Sequence, residues 1–431
     1  MVQVPLMQED EFRARLRRSH RVDFELREQV ADILRQVQEE GDAALLRLTR
    51  QLDGVERASP ALTPEERASG GGVGASVLDL LRRAAENVRA FHRAELESLQ
   101  PWRKEEDGAW LAQQFSPLRR VGVYVPGGSA AYPSSVLMNV IPAQVAGVEE
   151  IALVSPPTGP GGRPHPLVLA AAEVLGVREI YAAGGAQAVA ALAFGTETVP
   201  AVDFIAGPGN RYVNEAKRQV FGLVGVDSLA GPSEILILAD GEANPAFVAA
   251  DLLSQAEHDP DARAVCLSPS DELLRRVQQE LARQLAALPR KEIAAESLRR
   301  NGALVAVPDM RAALELANEI APEHLELMVS EPEPLLPQIR CAGAVFVGSA
   351  TPEPVGDYWA GSNHVLPTGG SARFASGLSV RDFLRWTNVV SYSPGRLARD
   401  AEAIAQFARL EGLEAHARAV EIRLAGEEEG E

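Results

Sequence analysis

From Arg120 onward the chain repeats one pattern, a short apolar run that ends in Gly or Pro and is followed by an Ala-rich amphipathic stretch. Nine such runs stand at 121–125, 151–154, 179–183, 202–206, 234–239, 264–268, 303–307, 325–329 and 344–347. Runs this short are read as strands, and strands alternating with helices need crossover connections, which build parallel sheets. Nine strands exceed one mononucleotide-binding half, and 431 residues exceed one ordinary core. The pattern therefore predicts an α/β chain with two incomplete Rossmann-like doubly wound domains; a (β/α)8 barrel is the alternative. Helical extensions are expected at both ends. The division expected is an arm over 1–21, a first Rossmann-like domain over 22–125 with 236–380, a second over 126–235, and a tail over 381–431.

Charge narrows the partners. There are 60 Asp and Glu against 42 Lys and Arg, a net of −18, which repels phosphate backbones and anionic lipid, so no nucleic acid or membrane partner is expected. Met1 to Arg21 lacks a basic stretch followed by an apolar core, and no run of about 18 apolar residues occurs, so a cytoplasmic protein is expected. The two cysteines, Cys266 and Cys341, each adjoin a strand-like run and read as structural thiols rather than activated nucleophiles.

Residues 1 to about 52 read as helical scaffolding, with apolar positions at Val30, Ile33, Leu34, Val37, Leu45, Leu46 and Leu48. Ser69-Gly70-Gly71-Gly72-Val73-Gly74 has no strand before it, so the phosphate-loop context is missing and a flexible loop is expected. In doubly wound sheets ligands sit past the carboxyl ends of strands. Three Gly loops follow such ends: Pro126-Gly127-Gly128-Ser129, Gly184-Gly185-Ala186-Gln187 and Gly207-Pro208-Gly209-Asn210. The last two lead into helices whose first amides can hold a phosphate, although no G-x-G-x-x-G occurs and each loop alone also reads as a tight turn.

Polar clusters carry the chemistry. In Ala249 to Asp259, Gln255 and His258 lie three residues apart on one helix face, with Asp251 on the same face. Such a pair also suits a solvated helix end. Ala321-Pro322-Glu323-His324-Leu325-Glu326 places two general bases of different type side by side at a strand start, suited to two distinct proton transfers, or else forms a polar turn. Pro354 to His364 is a long irregular segment of Gly, aromatic and polar residues, a composition common in functional loops. Glu411-Gly412-Leu413-Glu414-Ala415-His416 puts a Gly where plain helix would avoid one. Gln255, His258, Asp357 and His416 form a mixed nitrogen and oxygen ligand set suited to Zn²⁺ or Mn²⁺, without zinc-finger spacing.

Gly231-Pro232-Ser233-Glu234, the Gln-Ala-Glu-His-Asp core at 255–259, Ala321 to Glu326, Gly356-Asp357-Tyr358 with Ser362 to Thr368, and Glu411-Gly412-Leu413 with Ala415-His416 together resemble histidinol dehydrogenases, in order and over nearly the whole chain. The resemblance implies oxidation of L-histidinol through L-histidinal to L-histidine with two NAD⁺, the last step of histidine biosynthesis. It further implies one Zn²⁺ per subunit held by Gln255, His258, Asp357 and His416. Glu323 and His324 would be the catalytic bases, and Ser233 and Glu411, with His324 and the metal ligands, would contact the substrate. Tyr124, Gln187 and Asn210 would contact NAD, and a homodimer would share its sites, Glu411 and His416 completing the partner's. A same-fold dehydrogenase of another polar alcohol, or a zinc hydrolase or binding protein, are the alternatives.

Overall fold

The computed structural model describes residues 3–16, 23–127, 131–159, 161–229 and 231–425, apart from the side chains of Gly71 and Ala425. Within them the strands are β1 (Leu6–Gln8), β2 (Trp102–Glu106), β3 (Ala109–Pro117), β4 (Arg120–Tyr124), β5 (Glu150–Ser155), β6 (Glu179–Ala182), β7 (Phe204–Ala206), β8 (Gly225–Val226), β9 (Glu234–Ala239), β10 (Arg263–Ser268), β11 (Ala303–Ala306), β12 (His324–Met328), β13 (Ala344–Val347) and β14 (Leu384–Tyr392). Each of the nine expected runs coincides with a strand. They form two parallel sheets, β6-β5-β4-β7-β8 and β1-β11-β10-β9-β12-β13. Counted from β4 the first sheet runs 3-2-1-4-5, and counted from β9 the second runs in the same order with β1 added beside β11, in each case the doubly wound order short of its sixth strand. The fold is therefore α/β with two incomplete Rossmann-like sheets, and a single barrel is excluded.

Burial of both faces explains why these strands read as unbroken apolar runs. In β9, Ile235, Ile237 and Ala239 join one core with helices Pro245–Ala256, Asp271–Leu285 and Lys291–Asn301, while Leu236 and Leu238 join the opposite core with Phe12 and helix Met310–Ile320. The five-stranded sheet packs one face on helices Phe24–Glu40, Asp42–Asp53, Gly185–Phe194 and Arg211–Val220. At its amino edge Arg120 donates to Glu150 (2.7 Å) and Glu179 (3.2 Å), tying the first residues of β4, β5 and β6 with a buried guanidinium.

The chain divides into two compact units, Met1–Leu96 with Leu118–Phe383, and Glu97–Pro117 with Leu384–Glu431. The second unit contains the antiparallel sheet β14-β3-β2 and the helix pair Pro394–Leu410 and Glu414–Ala425, which meet on Ala405, Ala408 and Ala417. The tail past 381 is mostly helical, as expected, but it does not begin so. Instead β14 runs to Tyr392 and Ser393 caps the next helix, its Oγ accepting the Arg396 N–H at 3.2 Å. Strands β2, β3 and β14 are largely solvent-facing, so they lack the apolar signal that marks the parallel strands. The sequence signal for the β2–β3 hairpin is its Asp107-Gly108 turn, both residues at positive φ (50° and 79°), as a two-residue hairpin turn requires.

The Gly-rich stretch at 69–74 is also not a loose loop. Ser69–Val73 is a 3₁₀ turn against helix Pro166–Val174, and a Cβ on Gly70 would lie 2.6 Å from the Ala170 nitrogen. Gly72 has nothing within 4 Å. Gly70→Ala is expected to lower the unfolding temperature through overpacking, at a cost of about 1–3 kcal/mol, while Gly72→Ala stays within about 0.5 kcal/mol of wild type. Equal melting curves for the two variants would return this stretch to a flexible loop.

Candidate active site

The titratable groups of the six-stranded sheet gather where its strands begin. Strands β9 and β12 are neighbours in parallel register with His324 opposite Ile235, so Glu234, Glu323 and His324 meet at the amino edge. The rule that directs attention to carboxyl ends describes the Gly loops of the other sheet and not this cluster. Glu323 accepts the Glu234 N–H at 2.8 Å, and its own carbonyl accepts the Ala344 N–H at 2.8 Å, so its backbone and side chain are both fixed.

His324 Nδ1 lies 2.9 Å from the Glu234 carbonyl oxygen. A carbonyl only accepts, so Nδ1 carries the proton and Nε2 presents a lone pair, a tautomer set by the backbone. Nε2 is buried without a hydrogen-bond partner, 3.8 Å from Glu353 Oε1, which also lacks one. Burial lowers the His324 pKa to about 4 against the opposing charge of Asp357, so the ring is neutral at pH 7. Burial pushes the Glu323 carboxyl well above the usual carboxylate range, and the charges of Glu234 and Asp357 add to the shift. Glu353 is raised by burial first and by Asp357 next.

Helix Pro245–Ala256 brings Asp251 and Gln255 to the same region, and His258 follows its end. Gln255 Nε2 contacts His258 Nδ1 at 3.3 Å, while Gln255 Oε1 is buried with no partner. Asp251 pairs with Glu326, two residues beyond His324 on the same face of β12. Ser233 immediately precedes β9, and its carbonyl accepts the Arg263 N–H at 3.0 Å. Asp357 lies on the short helix Pro354–Tyr358, one turn beyond Glu353. Side-chain atoms of His324, Glu353 and Asp357 all lie within 4.8 Å of one another, a group able to hold a metal ion. Glu353 and Glu326 were not foreseen as site residues. Their signals were present: Glu326 alternates with His324 along a strand, and Glu353 precedes Asp357 by four residues on a helix.

Glu411 and His416 belong to the second unit, Glu411 at the end of helix Pro394–Leu410 and His416 in helix Glu414–Ala425, both exposed. Tyr124, Gln187 and Asn210 lie at the carboxyl edge of the five-stranded sheet. Tyr124 Oη accepts the Gly185 N–H at 3.1 Å and is pushed up to about 12 by burial. Gln187 is buried with Oε1 unpartnered. Asn210 Oδ1 caps helix Arg211–Val220 through the N–H groups of Tyr212 (3.0 Å) and Val213 (3.1 Å). Gly128 and Ser129 lie outside the described residues.

The family model described as histidinol dehydrogenase matches residues 16–424. This chain belongs to the histidinol dehydrogenase family. It is 54% identical over 402 residues to the histidinol dehydrogenase of Geobacillus kaustophilus, covering 93% of this chain and 94% of that one. Against the histidinol dehydrogenase of Aquifex aeolicus it is 50% identical over 418 residues, with 94% of each covered. A crystal structure of histidinol dehydrogenase from Elizabethkingia anophelis superposes with a TM-score of 0.92 at 34% identity over 98% of both chains. The chain is thus an oxidoreductase. Among the described residues no helix is long and apolar enough to cross a membrane.

The buried carboxyls give a signed pH prediction. Burial raises both Asp251 and Glu326, with their mutual interaction adding to Glu326. Unfolded, they lose their protons near pH 4; folded, they keep them to higher pH, so their contribution to stability is full at low pH and is lost as pH rises through the folded values. His324 has the opposite sense: its lowered pKa removes stability as pH falls from about 6.5 towards 4. The melting temperature of chelator-treated protein should therefore fall between about pH 6.5 and 9. Glu326→Gln, which has no proton to lose, should flatten that slope. Parallel wild-type and variant profiles would show that this pair does not hold its protons.

Proposed function

We propose that the chain oxidises L-histidinol through L-histidinal to L-histidine, reducing two NAD⁺ in succession, the final step of histidine biosynthesis. The observation that carries this reading is His324: buried, neutral, its tautomer fixed by the Glu234 carbonyl, with Nε2 unpartnered beside Glu353 and Asp357 and with Glu323 3.7 Å from Nδ1. Removing hydride from the carbinol carbon requires the hydroxyl proton to leave, and Nε2 accepts it. Oxidising the aldehyde needs water added first, because the hydrate releases hydride from a tetrahedral carbon and yields a carboxylate. Glu323, held against the Glu234 N–H at 2.8 Å, takes the proton of that water when it is ionised.

Gln255, His258 and Asp357 would hold Zn²⁺. The donor set suits the ion, and the buried, unpartnered Gln255 Oε1 is an oxygen ligand awaiting a positive charge. We prefer this set to His324, Glu353 and Asp357, because His324 Nε2 is needed as the base and burial keeps Glu353 protonated. NAD⁺ would lie along Tyr124, Gln187 and Asn210, where the unpartnered Gln187 Oε1 and the Gly loops allow close approach. When bound, Zn²⁺ anchors the substrate's nitrogen atoms and NAD⁺ accepts each hydride. Ser233 borders the His324 cluster as a substrate contact. Glu411 and His416, exposed on the second unit, would complete the site of a second copy in a homodimer.

Absorbance at 340 nm with histidinol, NAD⁺ and Zn²⁺-loaded protein tests the assignment, and absence of NADH would refute it. Glu323→Gln should slow oxidation of supplied histidinal more than that of histidinol, and His324→Asn should impair the alcohol step, each by about 10²–10⁴-fold. Equal slowing of both half-reactions by Glu323→Gln in single turnovers would remove the division of labour.

Sharing of sites is tested by mixing subunits. Dimers of His258→Asn or of His416→Asn contain no intact site, whereas a mixed dimer contains one. Random equal pairing should restore activity to roughly a quarter of wild type. No recovery in confirmed heterodimers would show that each tail serves its own body.

A further inference from the structure

Lys217, on helix Arg211–Val220, is among the largest fully buried side chains of the described residues. Its Nζ donates to the Gly207 carbonyl at 3.0 Å and is ion-paired with Asp227 Oδ1. The other oxygen of Asp227 accepts the Gly207 N–H at 2.7 Å. One buried ion pair therefore takes both the donor and the acceptor of a single residue. Asp227 is itself fixed, following β8 and donating its N–H to the Ile205 carbonyl at 3.3 Å.

Gly207 is the residue at which the chain leaves β7. Its φ of +118° is one that side chains rarely adopt, and a Cβ there would run into the Tyr124 carbonyl oxygen. The loop it starts ends at Asn210, whose side chain caps the very helix that carries Lys217. Loop, helix and ion pair thus close a ring. For stability alone, apolar residues of similar volume would serve as well as a buried pair or better. What the charges add is direction, since they fix the two peptide units that flank the Gly207 Cα.

We infer that Lys217 and Asp227 are positioning residues for cofactor binding: they hold Gly207 so that the 207–210 loop and the helix start behind it meet the dinucleotide already arranged. The inference rests on the NAD reading of this sheet edge. Both side chains are buried, so they act through Gly207 and not by contact. Pre-arrangement of this kind acts on affinity by removing the cost of ordering the loop at the moment of binding.

The test is NAD⁺ titration by calorimetry of Zn²⁺-loaded wild type and of the apolar double variant Lys217→Met with Asp227→Leu, with KM for NAD⁺ and histidinol measured in parallel. The variant should keep its zinc and its KM for histidinol while its Kd for NAD⁺ rises by about tenfold or more. A Kd within about twofold of wild type in a folded variant would overturn the inference and leave the NAD reading intact. Wild type that binds no NAD⁺ would overturn that reading and the inference with it. Hydrogen exchange on cofactor-free wild type decides the matter without any variant. The Gly207 amide should be protected like the amides of the sheet, and exchange as fast as an exposed loop amide would overturn the pre-arranged loop. Lys217→Gln with Asp227→Asn, which keeps a donor and an acceptor for Gly207, should recover most of the affinity, and recovery no better than that of the apolar pair would count against the inference.

Discussion

The hydrogen bond from His324 Nδ1 to the Glu234 carbonyl depends on the register of two adjacent parallel strands, and much of the site depends on that bond. It selects the tautomer, turns Nε2 towards Glu353 and Asp357, and places Glu323 against the next strand's backbone. Because β9 and β12 are central in their sheet, helices cover both faces and their amino ends lie in low dielectric. There His324 loses its affinity for a proton while Glu323 gains it, so one environment reverses the usual order of proton affinity of a histidine and a glutamate.

The two sheets treat their amino edges differently. In the five-stranded sheet Arg120 meets the carboxylates of Glu150 and Glu179 directly. In the six-stranded sheet Glu234, Glu323, Glu326 and Glu353 are buried together, and Arg263 approaches only Glu234, at 3.4 Å. Burying carboxyls without equal positive charge destabilises the charged form, and the molecule responds by keeping protons on several of them. A cation among these side chains would relieve the same imbalance. The crowding of acidic groups around His324 is thus intelligible as a site built for a positive charge.

Much of this was legible in the sequence where burial is two-sided. β9, with its Glu-Ile-Leu-Ile-Leu-Ala sequence, can hardly be anything but a central parallel strand, and the other eight runs follow the same logic. β2, β3 and β14 were missed because solvent-facing strands keep no apolar stripe, and the marker that remained was the Asp107-Gly108 turn. At the site, Gln255, His258, Glu323 and His324 were readable from helix spacing and adjacency. Glu353 and Glu326 were passed over, since their spacing from Asp357 and His324 was visible but an isolated glutamate carries no local sign of its burial. Which edge of the sheet would hold the cluster was likewise set by packing, which no single segment encodes.

The shared 3-2-1-4-5 order has a consequence for how such a chain can change over time. At the carboxyl edge of one sheet the distinctive features are backbone amides and glycines in loops, which accept insertion and exchange with little effect on the strands beneath. At the amino edge of the other sheet the clustered titratable groups include strand residues packed into the core, and a substitution there disturbs the fold and the cluster together. Drift in what the first half recognises is therefore open to small steps. Change at the buried cluster is obstructed, and the two halves of one repeated architecture differ in evolvability because one carries its distinctive residues on loops and the other in the core.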